Sequence, residues 1–213
     1  MRTVLAYGDS NTHGTAPMAG AEDKGRFGPD VRWTGHARGL LPGGTVLIEE
    51  GHPGRTTLHD DPIEGAHRNG LTILPAILES HRPLDLVILM LGTNDMKARF
   101  SVTAEDVAAS LDRLIRAIRA AEAGPDRGAP GILLVCPPPV LETGCLEGMF
   151  RGGAAKSAAL APLAERVAVA HGARFLDAGA HIAVSPVDGV HFDADAHATL
   201  GRAIGRIVAD MLG

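Results

Sequence analysis

After Asp85, the stretch Leu86-Val-Ile-Leu-Met-Leu91 is apolar at every position. A strand with one face in water alternates apolar and polar residues. An unbroken apolar run is what a parallel strand covered on both faces requires. A chain built on such a strand must carry helices on both sides of its sheet, and parallel neighbours must be joined by crossovers. The run stops at Gly92-Thr-Asn-Asp95, small and polar residues suited to a tight turn.

The rest of the chain fits this plan. Residues 4–7, 45–49, 132–136 and 174–176 read as strands bounded by Gly, Pro and Asp, with 84–91 as the central one. A helix is expected from Thr103, where Asp106 three residues on forms a weak capping box. It places Val107, Leu111, Leu114, Ile115 and Ile118 on one face. A last helix from near Asp193 lines up Leu200, Ile204, Ile207, Val208 and Met211. This alternation predicts an α/β domain around a five-stranded parallel sheet, one domain spanning 1–213. Residues 15–30, 51–69 and 137–153, rich in Gly, Pro or charge, read as irregular; long loops of this kind usually carry function or subunit contacts.

With 45% hydrophobic residues the chain needs no external staple. Cys136 ends an apolar run and is expected in the core, Cys145 in a loop; a disulfide between them stays open at this stage. The net charge is −5 and the 20 basic residues are scattered, so nucleic acid is not an expected partner. The apolar run in Met1–Tyr7 is too short for a secretory signal, and no segment reaches the roughly 20 apolar residues that span a bilayer. A cytoplasmic protein without membrane contact is expected.

In open α/β sheets ligands bind beyond the carboxyl ends of the strands. The first strand is followed by Gly8-Asp-Ser-Asn-Thr-His-Gly14, the second by Gly51-His-Pro-Gly-Arg-Thr-Thr57, and the third by Gly92-Thr-Asn-Asp95. The fifth leads to Asp188-Gly-Val-His191. A nucleophilic serine needs a base, a group that orients the base, and donors for the oxyanion. Ser10 offers the hydroxyl, His191 the imidazole and Asp188 the orienting carboxylate. The N–H groups of Ser10 and Gly54 and the amide of Asn94 offer the oxyanion hole. Each motif alone has an ordinary reading as a turn or a local cap. Their joint appearance at successive strand ends carries the catalytic one. Asp9 either orders the nucleophile loop or merely forms the turn. Arg55 either anchors the oxyanion loop through an acidic side chain, the favoured role, or meets an anionic substrate. His52, His59, Asp60 and Asp61 lack a metal-ligand spacing and read as a solvated loop. His197 reads as structural.

These four blocks, in order and over almost the whole chain, resemble those of the SGNH (GDSL-type) hydrolase family. Phe27-Gly-Pro-Asp-Val-Arg-Trp33, Glu49-Glu-Gly51 and Met90-Leu-Gly-Thr-Asn-Asp95 resemble its bacterial arylesterase and acyltransferase branch. The resemblance implies a three-layer α/β/α, flavodoxin-like fold and a site without metal or cofactor. It implies hydrolysis of short acyl esters, acyl transfer to alcohols or peroxide as a side activity, and a homo-oligomer. His13 and Thr15 stand where close relatives carry bulky aromatics, and Pro53 where a serine is familiar. His13, Pro53 and Val190 are the expected pocket residues. Within acyl chemistry the substrate stays open among alkyl or aryl acetates, O-acetylated sugars, thioesters and lysolipids. Two other classes compete. An aspartyl-phosphate enzyme would want Asp-x-Asp where Asp9 is followed by Asn11, and a silent binding protein would not need Ser10, Asn94, Asp188 and His191 together.

Overall fold

The computed structural model describes residues 1–213. In chain order the elements are β1 (Arg2–Gly8), α1 (Ser10–His13), α2 (Trp33–Arg38), β2 (Thr45–Gly51), α3 (Gly70–His81) and β3 (Leu86–Met90). They continue with α4 (Ala104–Ala120), β4 (Gly131–Cys136), α5 (Gly153–Ala158), α6 (Leu160–Ala170), β5 (Arg174–Asp177) and α7 (Ala194–Leu212). The five strands form one parallel sheet in the order β2-β1-β3-β4-β5. The chain winds to one side from β1 to β2 and to the other from β3 onward. The crevice between the carboxyl ends of β1 and β3 is therefore a topological switch point, where no crossover fills the space above the sheet.

Strand residues alternate between two apolar layers. Leu5, Tyr7, Val87, Leu89, Ile132 and Leu134 face one cluster with residues of α3, α4 and α6. Val4, Ala6, Leu86, Ile88, Leu133 and Val135 face the other, where Trp33 of α2 meets Leu200, Ile204 and Val208 of α7. Every residue of β3 is buried, as its unbroken apolar run requires. The capping box at Thr103 and Asp106 is formed in both directions. The face from Val107 to Ile118 is buried as the periodicity predicts.

Differences from expectation fall at boundaries and in short helices. Leu84 and Leu91 are buried but lie outside the ladder, so β3 is shorter than the apolar run. The first, second and fifth strands run past their expected ends. Helix α3 escaped the pattern because it opens on Gly70 and contains Pro75; Asn69 caps it by accepting the Thr72 N–H at 3.2 Å. Cys136 is buried and free, and Cys145 is exposed and free, so the disulfide left open does not form. No helix is long and apolar enough to cross a membrane.

Two paired glycines bring the site together. Gly8 of β1 lies opposite Gly51 of β2. A Cβ on Gly8 would fall 2.1 Å from Thr12 Oγ1, and one on Gly51 would fall 2.2 Å from the His13 N. Only bare backbone lets α1 fold back so closely onto both strand ends.

Leu89 sits at the centre of β3 with no exposure. Leu89→Ala is expected to lower stability by about 2–5 kcal/mol in urea titrations. A loss below about 1 kcal/mol would mean that this core layer is not packed as described.

Candidate active site

Asp9 ends the first strand-to-helix turn, and its Oδ1 accepts the Asn11 N–H at 2.9 Å. The backbone-ordering role weighed for Asp9 has a direct contact behind it. Ser10 is the first residue of α1 and Gly14 closes that turn in the left-handed region. Asn11 reaches across the chain, donating Nδ2 to the Val190 carbonyl at 3.1 Å. The turn that carries Ser10 and the loop that carries His191 are therefore tied directly together.

His191 Nδ1 and Asp188 Oδ2 are 2.6 Å apart. Asp188 Oδ1 accepts the N–H groups of Val190 and His191, both at 2.9 Å, and Oδ2 also accepts the Met18 N–H at 2.8 Å. With Nδ1–H given to the carboxylate, Nε2 is left as the basic nitrogen. Burial alone would raise Asp188, but the His191 ring and the two backbone donors hold its carboxyl down to about 2.

The third part is the loop after β2. Gly54 adopts φ +74°, and its N–H makes no hydrogen bond within the chain. Asn94 follows β3 in a 3₁₀ turn and donates Nδ2 to the Arg55 carbonyl at 3.1 Å, which fixes the plane of its amide. Beneath them Asp95 accepts the Thr57 N–H at 3.1 Å and the Thr57 hydroxyl at 2.5 Å, so the loop is bound to the end of β3. Burial pushes Asp95 upward against these Thr57 donors.

Arg55 departs from its favoured role. It pairs with no carboxylate: Nη1 donates to the carbonyls of Gly8, at 2.8 Å, and Glu50, and the guanidinium stacks 4.1 Å above the Tyr7 ring. It is buried, so it meets no substrate either. Strand ends present several unpaired carbonyls, and a forked donor satisfies them better than it would a single acid. The solvated-loop expectation for 52–61 also needs correction. Asp61 is buried in ion pairs with Arg99, at 2.9 Å, and Lys97, at 3.6 Å, and His59 Nε2 lies 3.7 Å from Asp95 Oδ1. His197 lies within α7, buried, with Nδ1 accepting the Trp33 N–H at 3.2 Å.

Ser10, Gly54, Asn94 and His191 all line one cavity of about 470 Å³. His13, Pro53 and Val190 line it too. Met18, Leu146, Met149 and Phe150 make an apolar wall; Glu64, Arg68 and Lys97 make a charged one. Two supports, Met18 and Arg68, carried no motif in the sequence, and Thr57 closed its block without a partner to give it a role. The two Asn and Asp side chains beside the motif residues, Asn11 and Asp95, stood in the blocks without a partner to give them a role.

An α/β/α sheet with a serine, an asparagine amide and a histidine–aspartate pair gathered at one end of its strands is a layout suited to hydrolysis through a serine nucleophile. An aryl esterase of M. smegmatis is 38% identical, with 99% of this chain and 100% of that one aligned at a TM-score of 0.94. Est24, a carbohydrate acetylesterase from Sinorhizobium meliloti, is 40% identical over 99% of this chain and 100% of its own, also at 0.94. A lipase/acylhydrolase from Enterococcus faecalis, 20% identical over 99% of this chain and 96% of its own at a TM-score of 0.66, shares the fold. No curated protein sequence matches the chain. The sequence model of the GDSL-like lipase/acylhydrolase family matches residues 6–199, and the chain belongs to that family, the hydrolases of carboxylic esters.

Burial drives the Asp9 carboxyl up to about 6, against the Asn11 N–H and the nearby His191. Between the ordinary carboxylate value and 6 the folded chain holds a proton that the unfolded chain has released. Stability from this group therefore falls as pH rises from about 4 to 6 and is level above. Asp188 works in the opposite sense, contributing stability above about 4 that is lost as pH falls toward 2. Asp95, also raised, acts in the same sense as Asp9, while His52 and His197, lowered to about 4 by burial, add stability as pH rises through the same window. Asp9→Asn is therefore expected to make the slope of stability between pH 4 and 6 more positive than in the parent in urea titrations at stepped pH. An unchanged slope would mean that Asp9 is not raised.

Proposed function

We propose that the chain hydrolyses short-chain acyl esters, acetyl esters above all, through an acyl-enzyme on Ser10. His191 Nε2 takes the Ser10 proton as Oγ attacks the ester carbonyl, then delivers it to the leaving alkoxide. Asp188 holds the ring and balances the imidazolium. The oxyanion is met by the N–H groups of Ser10 and Gly54 and by the free hydrogen of the Asn94 amide. Water then attacks the acyl-enzyme, again deprotonated by His191, and the acid leaves as Ser10 is restored. The observation that carries this reading is the 2.6 Å Asp188–His191 contact with Ser10, Gly54 and Asn94 on the wall of the same cavity.

The carbohydrate acetylesterase among the relatives supports small acyl groups over long chains, which makes thioesters of fatty acids and lysolipids the less favoured substrates. A second reading has its own support. The charged wall of Glu64, Arg68 and Lys97 suits a polyhydroxylated alcohol, and the relative from S. meliloti is a carbohydrate acetylesterase. O-acetylated sugars are therefore the second candidate substrate. Two free thiols, one of them exposed, suit a reducing compartment, which supports a cytoplasmic location.

A homo-oligomer is part of the proposal. Segments 15–30 and 137–153 flank the cavity, and the neighbouring Ile63, Leu141 and Val187 are 75%, 43% and 45% exposed. Light scattering is expected to give a mass of two or more chains; a monomer at working concentration removes this element.

Ser10→Ala is expected to abolish turnover of p-nitrophenyl acetate with the thermal midpoint unchanged. Asn94→Ala should lower kcat by about 10²–10³ with KM nearly constant, roughly 2.7–4 kcal/mol of transition-state stabilisation. Retained activity without Ser10, or an effect of Asn94 on KM alone, would overturn the assigned roles. Rates falling from acetate to decanoate support the small-acyl reading, and rates rising with chain length overturn it.

A further inference from the structure

Arg68 lies in the 3₁₀ turn Ala66–Arg68, at the far end of the loop that carries Gly54. Its Nη1 donates to the Pro53 carbonyl and sits 3.1 Å from His52 Nε2. Its stem lies against Gly54: a Cβ there would fall 3.2 Å from both Arg68 Cδ and Nε. Glu64 backs the same face, with Oε2 2.6 Å from that Cβ position and Oε1 accepting from Lys97 Nζ at 2.6 Å. Arg55 grips the loop from within and Arg68 from without.

The Pro53 carbonyl and the Gly54 N–H belong to one peptide group. That group is planar and, when trans, its C=O and N–H point in opposite directions. A donor that fixes the Pro53 oxygen on one side therefore fixes where the Gly54 N–H points on the other. Gly54 has a left-handed φ and no Cβ, so nothing in its own side chain would hold the plane. A cationic donor on the carbonyl also polarises the peptide and strengthens the N–H as a donor.

We infer that Arg68 is a positioning residue for the oxyanion hole, aiming and polarising the Gly54 N–H through the Pro53–Gly54 peptide. The inference rests on the reading that Gly54 meets the oxyanion. Glu64 and Lys97 complete the support, since the Lys97 ammonium balances a carboxylate that would otherwise oppose negative charge on the substrate carbonyl.

Arg68→Ala is expected to lower kcat on p-nitrophenyl acetate by about tenfold to a hundredfold, less than loss of a whole donor, with KM within about threefold. A boronic acid, which places a tetrahedral oxyanion on Ser10, should lose affinity by a similar factor. Arg68→Lys, which keeps one donor near the Pro53 carbonyl, should recover part of both. Amide exchange in the peptide covering 52–57 should quicken in Arg68→Ala while 86–90 stays protected, a readout independent of turnover. A kcat within about twofold of the parent, a change confined to KM, or unaltered exchange at 52–57 overturns the inference. A parent enzyme without ester turnover would instead overturn the proposed function, and the exchange result would then decide the role of Arg68 by itself.

Discussion

Three carboxylates are buried beneath the cavity, and each holds one of the strand-end loops in place by accepting hydrogen bonds. Asp9 holds the turn after β1, Asp95 ties the loop after β2 to the end of β3, and Asp188 organises the histidine loop. A carboxylate taken out of water is costly unless its oxygens are filled. Asp188, with three backbone donors and an imidazole, keeps its charge readily and sits at about 2. Asp9 has fewer donors and rises to about 6. The ordering fits the proposed mechanism: of the three, the carboxylate assigned to stabilise an imidazolium is the one most firmly ionised.

The two walls of the cavity divide the recognition problem. Met18, Leu146, Met149 and Phe150 come from irregular segments and offer area without direction. Glu64, Arg68 and Lys97 belong to a network that also takes in Asp61 and Arg99. Buried ion pairs add little net stability but resist distortion once formed, because separating them leaves a charge unpaired. The loop carrying Gly54 has almost no regular secondary structure, and this network does for it what a ladder of hydrogen bonds does for a strand.

Periodicity made the sheet and the two long helices legible, because burial on one or two faces leaves a period in the sequence. The four strand-end blocks were legible because each carries a residue whose chemistry has few structural uses. The remainder rests on pairs distant in the chain. Thr57 with Asp95, Met18 with Asp188 and Arg68 with Pro53 leave no local trace, since any of these residues is common in a loop. Arg55 shows the same limit from the other side: its importance was visible, but its partners are backbone carbonyls, which every residue possesses.

The site is stitched from the two ends of the chain. Asn11 binds the Val190 carbonyl and Met18 binds Asp188, contacts that span 179 and 170 residues. Helix α7, which follows His191, packs on α2 near the start. A ribosome delivering this chain in order releases Ser10 long before His191, so on the proposed mechanism a partly made chain holds the serine without a base to ionise it. On that mechanism the site stays silent until the segment carrying Asp188 and His191 docks beside Ser10. That makes appearance of activity a report on closure of the whole fold.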